Sequence, residues 1–284
     1  MTEPTDLTEP TDLTGPSPDT PLTPASLLMA ELWYETVPDL SSAALQQAIS
    51  GAGGDLTVQD GAIMISHPDL TIDMEEGPVP LTTSVFAASD LEHAGKSKPD
   101  TSQTWDWEGA EAALDRATRS VLVSELLASY FAPAQRLQGF RRVLAPLIAA
   151  TGPLAISWAN SQQVTDPSAF EEHRLDGVIN IRMFHVADDG GAKVMDSLGL
   201  QIYELPDVQC HFRDYDPGRV AALLYSTAGY LFEAGDVIDE GHTISGPDRD
   251  DPLVCRHEQS LVEPAREVID VDLGLPYAVG HPPA

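Results

Sequence analysis

A chain of 284 residues with 42% hydrophobic content can bury one large core or two smaller ones, and no apolar run approaches the roughly 18–20 residues that span a bilayer. Forty-five acids against fifteen bases give a formal charge of -30, a field that repels nucleic acid and anionic membranes and attracts basic partners. Two cysteines, Cys210 and Cys255, are too few for a disulfide framework and read as free, buried thiols of a reducing compartment.

The opening Met-Thr-Glu-Pro carries neither a basic n-region nor an apolar h-region, so the expected location is the cytoplasm. Residues 1–25 contain the hexapeptide Thr-Glu-Pro-Thr-Asp-Leu twice in succession, at 2–7 and 8–13. Prolines at 4, 10, 16, 18, 21 and 24 remove backbone donors, and the few leucines cannot offset the entropy of ordering, so a disordered acidic tail is expected. The charge is also uneven, because residues 1–95 hold 16 acids and no Lys or Arg.

From Leu27 to Tyr34 a compact apolar stretch predicts a buried first strand. Asp39 is placed to cap a helix over 40–50, with Ala44, Leu45, Ala48 and Ile49 inward and Gly51 as its stop. Strands follow at 56–67 and 70–74. A loop at 95–104 leads through Trp105-Asp-Trp107 to a helix containing Ala110, Ala113, Leu114 and Ala117, and a strand at 120–127 completes the half. Strand, helix, strand, strand, helix, strand is the order of a ferredoxin-like unit.

Leu137, Phe140, Leu144, Leu147 and Ile148 predict a helix over 134–150, kinked or split at Pro146 and ended by Gly152-Pro153. A strand at 154–158 and a brief helix at 166–174, opened by Asp166-Pro167, come next. Long strands at 178–186 and 192–205 flank Asp188-Asp-Gly-Gly191 as a hairpin, followed by a strand at 208–212. Asp216-Pro217 opens the clearest helix, striped with Val220, Leu223, Leu224, Ala228, Leu231 and Phe232 and closed by Gly235. Strands at 237–244, 253–257 and 267–273 precede a proline-rich end. The expected fold is α+β, with antiparallel or mixed sheets and packed helices in two ferredoxin-like halves, 26–130 and 131–275, and a flexible end at 276–284.

Several of these segments together resemble a known family. Trp105 to Arg119, Ala155-Ile-Ser-Trp158, Ile181-Arg-Met-Phe184, Ser197-Leu-Gly-Leu200, Tyr203-Glu-Leu-Pro-Asp207, the segment 235–244 and His257-Glu-Gln-Ser-Leu261 are similar to the bacterial domain-of-unknown-function family numbered 4261. The resemblance runs over roughly residues 27–273 and implies no catalytic residues. Members of that family resemble small cytoplasmic proteins of accessory regions, where immunity modules are common, so it implies an immunity-like role.

Chemistry-bearing patterns are sparse. Gly51-Ala-Gly-Gly54 lacks the lysine and following helix of a phosphate loop and reads as a helix stop. Cys210-His211 and Cys255-Arg-His257 are the closest approach to metal-ligand spacing, but neighbours on a strand face opposite ways, so no metal is expected. Ser260 near His257, and Ser245 near His242, lack a nucleophile elbow, and Glu171-Glu172 and Asp250-Asp251 read as solvated faces. No catalytic residue and no cofactor is expected.

Six residues remain as candidates for contact with a ligand or partner: Trp105, Trp107, Arg182, Asp236, His242 and His257. Arg182 interrupts an apolar strand and needs a carboxylate if buried. The two tryptophans suit either an aromatic anchor or core packing. The leading expectation is a non-catalytic acidic binding module that engages a basic protein, with no direct contact to nucleic acid or membrane. Two other readings stand beside it: a ligand site between the halves near Arg182, His242 and His257, or an acidic mimic of nucleic acid. Organism-wide acidity would give the same charge with no partner at all.

Overall fold

The computed structural model describes residues 27–59, 62–86, 89–90, 97–126, 128–170, 175–187, 190–246 and 252–280. The expected tail at 1–25, the carboxylate pairs at 171–172 and 250–251 and the turn residues Asp188 and Asp189 lie outside them. The fold is α+β and forms two compact units, Ala25–Val178 and Ile179–Ala284.

In the first unit the strands are β1 (Met29–Tyr34), β2 (Asp55–Gln59), β3 (Ala62–Met74), β4 (Gly77–Val85), β5 (Ser89–Asp90), β6 (Arg119–Leu126), β7 (Ala155–Trp158) and β8 (Val164–Thr165). Its helices are α1 (Ala43–Gly51), α2 (Ala110–Arg116) and α3 (Pro133–Thr151). They build one antiparallel sheet in the order β2-β3-β4-β6-β1-β7-β8, with β5 also paired to β6.

β1 is apolar apart from the partly exposed Glu31 because it is central and covered on both faces. Tyr34 reaches Thr151 of α3 through a hydroxyl contact of 2.8 Å, whereas Trp33 packs with Ala110, Leu114 and Ala117 of the α2 region. Alternate residues of a strand point to opposite faces, so a strand sandwiched between helices shows a continuous apolar run. Burial pushes the Tyr34 phenol up to about 12.

Expected and observed elements differ where local pairing chemistry decides the boundary. Ser42, not Asp39, caps α1 by accepting the Leu45 N–H, because Asp39 is occupied by the backbone and hydroxyl of Ser41. Only Leu45 and Ile49 of the expected inner face are buried. The expected strand at 56–67 is a hairpin of β2 and β3, and 70–74 is the continuation of β3 beyond an irregularity between His67 and Thr71. β4, rich in Pro and Thr, was not expected; its partners β3 and β6 supply the pairing that its own composition does not advertise. α3 runs through Pro146 without ending there and stops at Gly152.

The boundary between halves also moves. α3, β7 and β8, expected in the second half from residue 131, belong to the first unit, since β7 pairs with β1 and Arg136 of α3 pairs with Glu125 of β6. Gly177, near the end of this unit, has φ +79, and a Cβ there would lie 2.0 Å from the Trp158 ring. Only glycine fits that approach.

The second unit contains β9 (Asn180–His185), β10 (Lys193–Leu198), β11 (Asp207–Phe212), α4 (Pro217–Ala234), β12 (Thr243–Ser245), β13 (Pro252–Gln259) and β14 (Glu267–Asp272). Its sheet order is β12-β13-β14-β11-β10-β9, with β11 and β14 parallel and the other pairs antiparallel. α4 matches its expected stripe, all six apolar residues being buried, and Asp216 accepts the Gly218 N–H. A ferredoxin-like unit needs two helices, and α4 is the single α-helix here among the described residues; the second one counted from sequence was α3. The expected flexible end is ordered over residues 276–280, where Arg213 donates to Tyr277 O and Val279 to His211 O.

Candidate functional site

The most heavily charged interior of the molecule crosses the second sheet. Adjacent-strand registers place Arg182 of β9 opposite Asp196 of β10, Asp196 opposite Gln209 of β11, Gln209 opposite Asp270 of β14, and Asp270 opposite Arg256 of β13. Directly opposed residues share a face, so these five form one polar row across five strands. Arg182 is 4% exposed and grips Asp196 with both ends of its guanidinium, at 3.0 and 2.6 Å. Its expected carboxylate is therefore present.

Arg266 closes the network from the segment before β14. It donates to Asp207 at 2.9 Å, to Asp196, and to the carbonyls of Ser197 and Pro264. Asp207 also accepts from the Ser197 hydroxyl and the Leu200 N–H. Burial pushes the Asp207 carboxyl up, while Arg266 and these donors pull it back. Charges so fully matched are architectural: each hydrogen-bonding group is spent inside the protein.

The remaining candidates in this unit gather at another place. The segment 236–242 connects α4 to β12 and lies along β13. His257 Nε2 stands 2.6 Å from the Ile238 carbonyl and Nδ1 3.5 Å from a Glu267 carboxylate oxygen, while the His257 N–H donates to Glu240. The Ile238 carbonyl raises the imidazole pKa most; burial opposes it, and Glu267 and Asp236 add to the rise. His242 is 55% exposed at its side chain and accepts the Asp239 N–H at Nδ1; Asp236 is exposed.

Asp236, His242 and His257 thus share a neighbourhood, but Arg182 does not. β10, β11 and β14 separate β9 from β13, a distance of roughly 19 Å at the ordinary strand spacing. The expected convergence of Arg182, His242 and His257 on one site is not formed, and all three belong to the same unit.

Cys210 and Cys255 flank Val271 in one cross-strand row, one strand apart from each other and both reduced. Burial raises Cys210 well above the ordinary thiol value and Cys255 to about 11, which leaves two inert thiols. Among the described residues, no group of three or more His, Cys, Asp or Glu side chains is arranged to hold a metal.

The tryptophan pair divides. Trp105 is 54% exposed, its indole donating to Gln103, whereas Trp107 is half-buried against the cluster of Trp33, Ala110 and Val164. Trp107 also walls a notch of about 50 Å3 with Asp106, Thr165, Asp166, Ala169, Phe170 and Asp176. The residues that line it carry two aromatic rings and three carboxylates. Asp166 uses one oxygen to accept the Ser168 N–H of a 3-10 turn at Pro167–Ala169. Arg141 lies over the Phe170 ring at 5.4 Å and donates to the Asp176 carbonyl. Sequence reasoning named Trp107 and treated Asp166 as a cap, but nothing local could join residues 106, 170 and 176.

The notch is too small for a metabolite, which occupies hundreds of Å3, and suits the head of one side chain. No helix among the described residues is long and apolar enough to cross a membrane. Residues 196–272 match the profile of the family described as a domain of unknown function (DUF4261), so the family resemblance is found over β10 to β14. That match covers Asp196, Asp207, Gln209, Arg266 and Asp270 of the network, but not Arg182, and the turn 236–242. No curated protein and no solved structure matches the chain.

Proposed function

We propose that this protein is a non-catalytic acidic binding module that engages a basic protein partner, in the manner of an immunity protein that neutralises a basic toxin or effector. The supporting observation is where its bases are. Arg136, Arg141, Arg182 and Arg266 are buried, matched in number by the buried Glu125, Asp196, Asp207 and Asp270. Outside these eight residues the sequence holds 41 acids and 11 bases, and among the described residues the interior takes a third of the bases but only about an eighth of the acids. The eight buried residues sum to zero charge, so the full -30 is carried outside them, where nearly four acids stand for each base.

Within that field the notch beside Trp107 is the place that receives a lysine or arginine head. Aromatic faces attract cations through their quadrupole, and a carboxylate rim adds direct charge attraction. Three acidic residues, Asp106, Asp166 and Asp176, line the notch, and Arg141 is the one cation placed beside it among the described residues, which favours a net negative lining.

The test is the binding of a fluorescently labelled nine-arginine peptide, followed by anisotropy as salt is raised. Affinity is expected to fall about tenfold or more between roughly 0.05 and 0.5 M salt, as the field is screened. A peptide that does not bind at low salt, or whose affinity ignores salt, contradicts the reading.

A further inference from the structure

We propose that His257 is a pH-sensitive latch that fastens the acidic turn 236–242 to β13 and β14. The inference concerns a different place from the notch and does not depend on any partner.

The geometry requires two N–H groups on one imidazole. Nε2 faces the Ile238 carbonyl at 2.6 Å, and a carbonyl only accepts, so Nε2 carries a proton. Nδ1 faces Glu267 at 3.5 Å, and an ionised carboxylate also only accepts. The imidazolium satisfies both contacts and attracts Asp236 of the turn; the neutral ring loses that charge, holds the Ile238 carbonyl through a weaker neutral bond and turns a lone pair toward Glu267. Ile238 is 5% exposed, so the carbonyl being held belongs to a residue anchored in the interior.

The surrounding charge points the same way. Asp236 and Glu240 come from the turn and Glu267 from β14; Asp239 is drawn toward His242. On its own strand, the neighbours Arg256 and Glu258 alternate away from His257, and Arg256 is paired with Asp272. Among the described residues, the groups that face the ring are therefore carboxylates and a carbonyl.

Besides the Glu240 carboxylate, which accepts the His257 N–H, the turn is fastened through the backbone. Gly241 N–H donates to Cys255 O, and Cys255 N–H donates to His242 O. Gly241 has φ +77, a conformation that glycine adopts without strain. These two amides report whether the turn is seated. With its folded pKa raised above the ordinary value near 6.5, protonated His257 contributes stability fully below about pH 6.5. That contribution is lost as pH rises through the folded value.

Two measurements on the full chain test the latch: NMR titration of the His257 ring, and hydrogen-exchange protection of the Gly241 and Cys255 amides, corrected for intrinsic exchange. Protection is expected to drop about twofold to fivefold, the size of a partly exposed charged contact, with the same midpoint as the ring. Glu267→Gln lowers both midpoints together, and His257→Gln removes the step. Protection that stays flat through the ring titration, or a step that survives in His257→Gln, overturns the proposal. If His257→Gln fails to fold, unequal movement of the two midpoints in Glu267→Gln overturns it as well.

Discussion

The two units bury charge in different ways. In the first, Glu125 and Arg136 form a closed pair, with the carboxylate also accepting the Leu28 N–H. In the second, Asp196 is shared between Arg182 and Arg266, and Arg266 is shared between Asp196 and Asp207. A closed pair can be replaced as a unit by apolar side chains, whereas a shared network has no member whose loss leaves the others matched. The first arrangement pins one helix to one strand; the second ties β9, β10, β11 and the start of β14 into a single register.

This contrast orders the expected effects of substitution. Arg266→Met leaves Asp207 without its guanidinium and Asp196 with one of two, and should cost about 5 kcal/mol, read as lost exchange protection in β10 and β11. Adding Asp207→Leu should not restore it, because Asp196 and the carbonyl acceptors remain unmatched. Arg136→Met should cost about 3 kcal/mol, but the double variant Glu125→Leu/Arg136→Met should recover about half of that, the remainder being the Leu28 N–H left without an acceptor. All four tryptophans lie in the first unit, so indole fluorescence during chemical unfolding reads this recovery. Equal rescue in both units would erase the distinction between pair and network.

The smallest effect belongs to the surface. Asp69→Asn breaks a contact with Arg142 at 2.7 Å whose carboxylate is half in water, and should cost about 0.5 kcal/mol. The Arg142 hydrogen bond lowers the Asp69 pKa. Its contribution is therefore present above the ordinary carboxylate value near 3.9 and is lost as pH falls through the folded value, which acid unfolding of Asp69→Asn against the parent measures.

Legibility in the sequence followed the range of the interaction. Helix α4 was fully readable because its signals are local: Asp216-Pro217 at the start, a helical stripe, Gly235 at the end. Arg182 could be read as a buried cation needing a carboxylate, since it interrupts apolar residues on its own strand. Its partner could not be named, because Asp196 is selected by the register of β9 on β10. Arg266 sits just before its strand, where an arginine looks ordinary, and only the return of β14 alongside β11 places it against Asp207. The same reason hides the notch: Trp107 was a candidate from its composition, but Phe170 and Asp176 join it through the path of β7 and β8. Long-range pairing also moves the unit boundary, which the order of strands and helices puts near residue 130.

The central claim is that exterior acidity is organised around the notch and is more than a uniform charge. The most direct test measures nine-arginine peptide affinity at about 0.15 M salt for the parent, for Asp106→Asn/Asp166→Asn, and for Glu75→Gln/Glu76→Gln. Asn still serves as a cap at residue 166, and the control removes the same charge from the exposed turn between β3 and β4. The account predicts a loss of about tenfold for the notch variant and less than about threefold for the control. Equal losses in the two variants would mean that net charge alone attracts the peptide, and would contradict the claim.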